Sequence, residues 1–274
     1  MSASLKDRTI VMSGGSRGIG LAILLAAAKA GANAVLLAKT DRPDPRLPGT
    51  VHTAVEEIEA AGGRAVAVVG DVREEDDVQR AVSSAVEHFG GVDVVVNNAS
   101  ALNLTGTLEL TPKRYDLMQQ INAKGTFQLT RAALPHLLES QDPQILTLGP
   151  PINLKPEWLG KFPSYALSKY GMTLLTLGFA AEFADRGVRA NCLWPQTMIS
   201  TAAVANLLGG EEASRRARSP EIVGDAAVAL LTDPQRPSGE VVLDVEALRR
   251  AGITDLSPYG DSDDLELDFF VDEF

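Results

Sequence analysis

Short β-branched runs alternate with longer helical patterns from one end of the chain to the other, and this alternation restricts the possible folds more than any other feature. The strand-like runs are Thr9–Met12, Asn33–Ala38, Ala65–Val69, Val92–Val96, Ile145–Leu148, Val188–Trp194 and Glu240–Leu243. The first six are almost continuously apolar, as strands covered on both faces must be. Between them the pattern predicts helices over Gly20–Ala30, Val55–Ala61, Asp76–Phe89, Arg114–Leu138 and Ser164–Asp185. Gly31, Gly62 and Gly90 stand just past three of these ends, where glycine terminates a helix with least strain. The order predicts an α/β fold: one Rossmann-type, doubly wound parallel sheet of about seven strands flanked by helices.

The first strand runs into Ser13-Gly14-Gly15-Ser16-Arg17-Gly18-Ile19-Gly20, and the first helix opens there. Glycines let such a turn approach a pyrophosphate, and the helix start offers free N–H groups and a positive dipole end. Gly14, Ser16, Arg17, Gly18, Ile19 and Gly20 are therefore candidate cofactor contacts. Residues 1–260 read as one dinucleotide-binding domain, followed by an acidic tail over 261–274.

The turn resembles the Thr-Gly-x-x-x-Gly-x-Gly motif of the short-chain dehydrogenase/reductase family, with Ser13 in the place of its threonine. Four further motifs follow in that family's order: Asp71-Val72, Asn97-Asn98-Ala99-Ser100, Asn122, and Tyr165-Ala-Leu-Ser-Lys169. Ala38-Lys39-Thr40, Gly149-Pro-Pro-Ile-Asn153, Trp194-Pro195 and Asp268-Phe-Phe-Val-Asp-Glu273 resemble in particular the hydroxysteroid dehydrogenase-like subfamily. Some of its members carry a sterol-carrier domain after the reductase; these 274 residues read as the reductase portion alone.

The end of the second strand bears on the choice of cofactor. A carboxylate there would bind a ribose 2′-hydroxyl, whereas Lys39, helped by Arg17, would attract a 2′-phosphate. NADP(H) is the preferred expectation and NAD(H) the alternative, with Asp41 able to serve the hydroxyl if the strand ends two residues later. The long segment Asp41–Thr53 carries Arg42, Arg46 and His52, readable as functional or as solvated surface. The resemblance implies that Asp71 accepts from the adenine amino group, and that Val72, Asn98, Ala99, Pro195, Met198 and Ser200 contact the cofactor.

Tyr165 and Lys169 are four residues apart and share one helical face. A free phenol, with a pKa of about 10, is a poor base at neutral pH. A neighbouring ammonium, together with the positive nicotinamide ring of the oxidised cofactor, is expected to lower that value. The resemblance implies that Tyr165 exchanges the substrate proton, that Lys169 also holds the nicotinamide ribose, and that Asn122 holds a relay water. The family's serine after the fifth strand is missing: Gly149 and Pro150 stand there. Asn153 is the first substitute donor, with Ser164 behind it. The expected activity is interconversion of an alcohol with a ketone or aldehyde. The alternative is a nucleotide-binding sensor or scaffold whose turnover went with the serine.

Leu154, Trp158, Leu159, Phe162 and Trp194 reach the same rim and suggest a lipophilic, fatty-acyl or steroid-like, small-molecule substrate, though core packing explains several of them equally well. The net charge of −11 includes seven acids after Gly260 and no base there, which leaves −4 for the rest. Without a basic stripe, nucleic acid is not an expected partner. Three scattered histidines and the single Cys192 offer no metal site, and a lone cysteine suits a cytoplasmic protein. No stretch has the length and apolarity of a membrane span. A homodimer or homotetramer is implied by the resemblance, and the apolar residues of the tail suggest docking on a neighbouring subunit rather than disorder.

Overall fold

The structure, a computed structural model, describes residues 4–44, 49–202, 211–260 and 264–272. Seven strands form one parallel sheet in the order β3-β2-β1-β4-β5-β6-β7: β1 (Thr9–Ser13), β2 (Asn33–Ala38), β3 (Arg64–Val69), β4 (Val94–Asn97), β5 (Gln144–Thr147), β6 (Arg189–Trp194) and β7 (Val241–Leu243). The order reverses between β1 and β4, and ligands of open α/β sheets bind at such a switch point. Register brings Ser13 level with Asn97, Thr147 with Asn97, and Cys192 with Thr147, so the strands end on a common rim.

The strands alternate between two apolar layers. Ile10, Met12, Leu36, Val94, Val96 and Leu146 face one layer, and Val11, Val35, Leu37, Val95 and Ile145 face the other. The helices are α1 (Gly18–Lys29), α2 (Val51–Ala60), α3 (Glu75–Phe89), α4 (Pro112–Gln119), α5 (Gly125–Leu137), α6 (Pro156–Lys161), α7 (Pro163–Glu182), α8 (Glu211–Arg215), α9 (Glu221–Leu231) and α10 (Asp244–Arg250). Ile23 and Leu24 of α1 and Ile222 and Val223 of α9 fill the first layer, while Val78 and Val82 of α3 and Leu129 of α5 fill the second.

Two expected elements differ in detail. The second helix begins at Val51, four residues early, because Thr50 and Thr53 close a capping box there. The long helix expected over Arg114–Leu138 is broken by a π turn, Gln120–Lys124, between α4 and α5. Apolar periodicity cannot reveal one widened turn, and such turns gather at functional sites.

The acidic tail is also placed differently from expectation. Its described part packs on its own chain: Thr197 bridges Leu267, and Met198 N donates to Glu266 O. Phe270 is buried, joining Met118, Phe162, Tyr165, Tyr170 and Trp194 in a third cluster above the rim. Of the apolar side chains that argued for docking, Phe270 is therefore buried and Phe269 half-buried within the chain itself, and Phe274 lies outside the described residues.

At the opposite edge of the sheet, Asp142 gathers three guanidiniums. Arg8, Arg189 and Arg236 lie 2.7, 3.0 and 2.7 Å from its carboxylate. Burial alone would raise this carboxyl's pKa, but Arg189, Arg8 and Arg236 outweigh it and hold it below the usual range. The stabilisation is therefore present above the unfolded carboxylate pKa and lost as pH falls through the lower folded value. Asp142→Ala leaves the nearly buried Arg189 uncompensated and should cost about 3 kcal/mol in denaturant unfolding, most of it vanishing in acid. A loss below about 0.5 kcal/mol at neutral pH, the scale of an ordinary surface substitution, would contradict this role.

Candidate active site

The glycine turn fits closely against the end of β4. Gly14 has φ +77°, a left-handed conformation that glycine adopts without strain. The Asn98 carboxamide donates to Ser13 O (3.2 Å) and Gly14 O (2.8 Å), and the Ser13 hydroxyl accepts from the backbone of Asn98 and Ala99. A Cβ at Gly20 would fall 2.4 Å from Gly14 O and 2.5 Å from Asn98 Nδ2, so no side chain fits there. No side chain caps the start of α1, which leaves its first N–H groups open to an anion.

Behind this turn lies a cavity of about 750 Å³. Gly14, Ser16, Arg17, Gly18, Ile19, Gly20, Lys39, Asp71, Val72, Asn98, Ala99 and Ser200 line it, as the sequence led us to expect. Leu37, Gly49, Glu57, Ile121, Thr201 and Pro220 line it too, brought in by strand register and loop packing that no local motif records. Its size, the glycine cradle and the uncapped helix start fit a dinucleotide.

Charge on the Asp71 side of the cavity is concentrated on that carboxylate. It takes Arg73 through two nitrogens (2.6 and 2.9 Å) and Lys39 Nζ at 3.0 Å. Burial pushes its carboxyl up, but hydrogen bonds from Arg73 and Lys39 outweigh this and hold it well below the usual range. Lys39 remains more than half exposed. Arg17 donates to Gly49 O, and its Nε is buried without a partner. Asp41 pairs with His52 at 2.8 Å. Arg46 lies outside the described residues.

The candidate catalytic pair sits on α7. Tyr165 is 5% exposed and Lys169 2%. Lys169 Nζ donates to Leu148 O at 2.6 Å and stands 4.8 Å from the Trp194 ring centroid. Burial pushes its pKa down to about 8, against the pull of Cys192 and Asp268. In the chain alone, the Tyr165 pKa moves opposite to the lowering expected beside Lys169 and an oxidised nicotinamide ring. Burial pushes the phenol far above its usual value, and Asp268 adds to the rise. The walls responsible are Phe162, Phe269 and Phe270, with ring centroids 5.8, 6.2 and 6.1 Å from that of Tyr165.

Asn122 is completely buried in the π turn. Its carboxamide accepts from Ala101 N (2.7 Å) and donates to Ala101 O (3.0 Å) and Ser168 Oγ (2.9 Å). Ser168 in turn donates to Tyr165 O. The side chain thus ties the loop after β4 to the helix that carries Tyr165. Asn153 is not in the expected place: its Nδ2 donates to Phe270 O (3.1 Å) and to Asp272 Oδ2 (2.8 Å). With both N–H groups spent on the tail, it has none left for a substrate oxygen. Pro195 and Met198 do not line the cavity, and Met198 N is engaged by the tail. Phe269, Phe270 and Asp268 were not expected beside Tyr165; the alternation of Leu265, Leu267 and Phe269 with carboxylates marked the segment without showing its destination.

The chain matches the short chain dehydrogenase family over residues 8–211. It is 49% identical over 273 residues to hydroxysteroid dehydrogenase-like protein 2 of Danio rerio, covering 99% of this chain and 65% of that protein. The human protein of the same name is 44% identical over 268 residues, covering 97% of this chain and 64% of that protein. The chain thus spans about two-thirds of the length of these relatives, slightly less in each case. Among solved structures, a short chain dehydrogenase from Mycobacterium thermoresistibile superposes with TM-score 0.93 at 49% identity, covering 98% of this chain and 96% of that one.

Geometry also explains the absent serine. A Cβ at Gly149 would lie 2.7 Å from Thr173 Oγ1 and 3.1 Å from Cys192 Sγ, and Thr173 Oγ1 is held by Pro150 O at 2.8 Å. Gly149→Ser should therefore lower stability by about 1–3 kcal/mol through overpacking and leave turnover no higher. Higher turnover at an unchanged melting temperature would contradict this.

Proposed function

Because this chain belongs to the short chain dehydrogenase family, we propose that it is an oxidoreductase acting on CH–OH groups. Its reaction is the interconversion of an alcohol with a ketone or aldehyde, on a lipophilic, fatty-acyl or steroid-like, substrate. The family works with NAD(P)(H), and NADP(H) is the cofactor proposed here. One observation carries the reading: Tyr165 and Lys169 lie buried a helical turn apart at the carboxyl rim of the same sheet whose glycine turn backs a dinucleotide-sized cavity, although neither side chain lines that cavity.

When bound, the cofactor supplies or takes up the hydride. Tyr165 gives its phenolic proton to the carbonyl oxygen in reduction and removes the hydroxyl proton in oxidation. Lys169 would hold the nicotinamide ribose, its ammonium oriented by Leu148 O and the Trp194 face. Asn122 keeps the Tyr165 helix in register with the loop after β4. Arg17 and Lys39 would meet the 2′-phosphate, supported by the exposure of Lys39 and the unpartnered Nε of Arg17. The aromatic cluster of Trp158, Phe162, Phe269 and Phe270 supports a lipophilic substrate.

A homodimer fits the outer faces of α5 and α7. Phe127, Leu167 and Leu174 are exposed there, and Gly178 adds open space on α7 where little would hinder a second helix. The single buried Cys192 is compatible with a reducing compartment such as the cytoplasm. Among the described residues, no helix is long and apolar enough to cross a membrane and no group of side chains could hold a metal.

Incubation of the pure protein with NADPH and a panel of lipophilic ketones and aldehydes should consume the cofactor. Tyr165→Phe should lower that rate about 100- to 10,000-fold, the usual worth of a positioned acid, and full activity in the variant would refute the assignment. Lys39→Asp should shift the NADPH-to-NADH affinity ratio at least about tenfold toward NADH, the size of one charge-assisted hydrogen bond; an unchanged ratio would contradict the role of Lys39. Leu174→Arg should turn the dimer into a monomer by light scattering, and a dimer unaffected by it would place the interface elsewhere.

A further inference from the structure

Asp268 is a carboxylate in the segment whose next two residues pack on Tyr165, and the mechanism above does not use it. Its position is fixed from several directions. Asp268 N donates to Gln196 O at 3.0 Å, the preceding Leu267 bridges Thr197, and the following Phe269 O accepts from Trp194 Nε1 at 3.0 Å. Its own Oδ1 accepts from Phe269 N at 2.6 Å. The next two rings close on Tyr165: Phe270 lies nearly parallel to it at 24°, and Phe269 stands edge-on at 79°.

Phe270 holds φ +69°, a left-handed conformation that costs a bulky residue energy and persists only when its surroundings impose it. A latch two residues on does so. Asp272 accepts from Asn153 Nδ2 (2.8 Å) and Trp158 Nε1 (2.9 Å) and pairs with Lys155 Nζ (2.7 Å). The segment is thus fastened on both sides of the rings that touch Tyr165.

Taking Tyr165 as the proton donor, as proposed above, we infer that this C-terminal segment is a working wall of the active site. Phe269 and Phe270 keep water from the phenol, and Asp268 is a positioning residue whose negative charge opposes ionisation of Tyr165. The phenol then stays a proton donor into the alkaline range.

The charged and titratable groups around Asp268 set when this operates. Tyr165 and Lys169 face it from α7 and Asp244 from the start of α10. Cys192 of β6 acts on it through Lys169, and Arg218 through Asp244. Glu266 in the same segment is paired with Arg216, and Asp272 with Lys155. The Gln196 peptide joins the two carboxylates, its N–H donating to Asp244 Oδ1 at 2.9 Å while its carbonyl accepts from Asp268. Burial pushes Asp244 up to about 6, and burial followed by the charge of Asp244 pushes Asp268 up to about 7, against the pull of Lys169. Asp268 therefore ionises later than an ordinary carboxylate but is charged in the alkaline range, where a phenol would otherwise be lost.

Asp268→Asn retains an acceptor for Phe269 N and removes only the charge. In carbonyl reduction the rate falls at high pH as the phenol is lost, and that fall in kcat/KM should move about one pH unit lower in the variant, the ordinary effect of one neighbouring charge. Tyrosinate absorbance gives a second readout that needs no turnover. Subtracting the titration of Tyr165→Phe from that of each protein isolates Tyr165 among four tyrosines, and its ionisation should begin at lower pH in Asp268→Asn than in the parent. Asp268→Ser serves as the second charge-removing variant should the first not fold. A folded variant with both the pH profile and the Tyr165 titration unchanged would overturn the inference. Full turnover in Tyr165→Phe would instead refute the reading of Tyr165 as donor, and the absorbance titration would still decide the electrostatic claim.

Discussion

An ammonium group shut away from water costs several kcal/mol unless the fold surrounds it with compensating dipoles and charge, and Lys169 imposes that condition on this structure. It is 2% exposed. The carbonyl of Leu148 at the end of β5, the ring of Trp194 at the end of β6 and the carboxylate of Asp268 in the C-terminal segment each answer part of its charge. Three separate parts of the chain are thereby fixed relative to α7, and Tyr165 is one helical turn away on the same face. The group proposed to transfer the proton owes its position to what the lysine requires.

The same economy separates the two edges of the sheet. At the carboxyl rim, polar side chains are either committed to holding backbone, like Asn98 and Asn122, or aimed at a cavity, like Arg17 and Lys39. At the opposite edge, Asp142 and its three arginines close on one another. Charge there stabilises the fold, so the two clusters call for different experiments, one on unfolding and one on turnover.

Much of this was legible in the sequence because it depends on local pattern. Continuous apolar runs such as Val94–Val96 and glycines such as Gly14 and Gly20 report strand and turn directly. The motif around Asn98 and the Tyr165–Lys169 spacing locate the rim residues with little reference to distant packing. What was not legible depends on long-range contact. The π turn at Asn122 widens a helix without changing its apolar face. The two N–H groups of Asn153 are claimed by residues more than 110 positions later. The upward push on the Tyr165 pKa in the chain alone comes largely from rings and a carboxylate about 100 residues away, which an expectation built on Lys169 and the oxidised nicotinamide ring does not contain. Gly149 looked like a lost catalytic group in the sequence; its contacts with Thr173 and Cys192 show a position too tight for a side chain.

The central claim, that this rim carries out hydride transfer with a carbonyl, is tested most directly by isotope. With NADPH carrying deuterium at the transferable position of the ring, a carbonyl substrate should give an alcohol labelled on its carbinol carbon, detected by mass spectrometry. Saturating NADPH binding with no label reaching any carbonyl in a broad lipophilic panel would contradict the account.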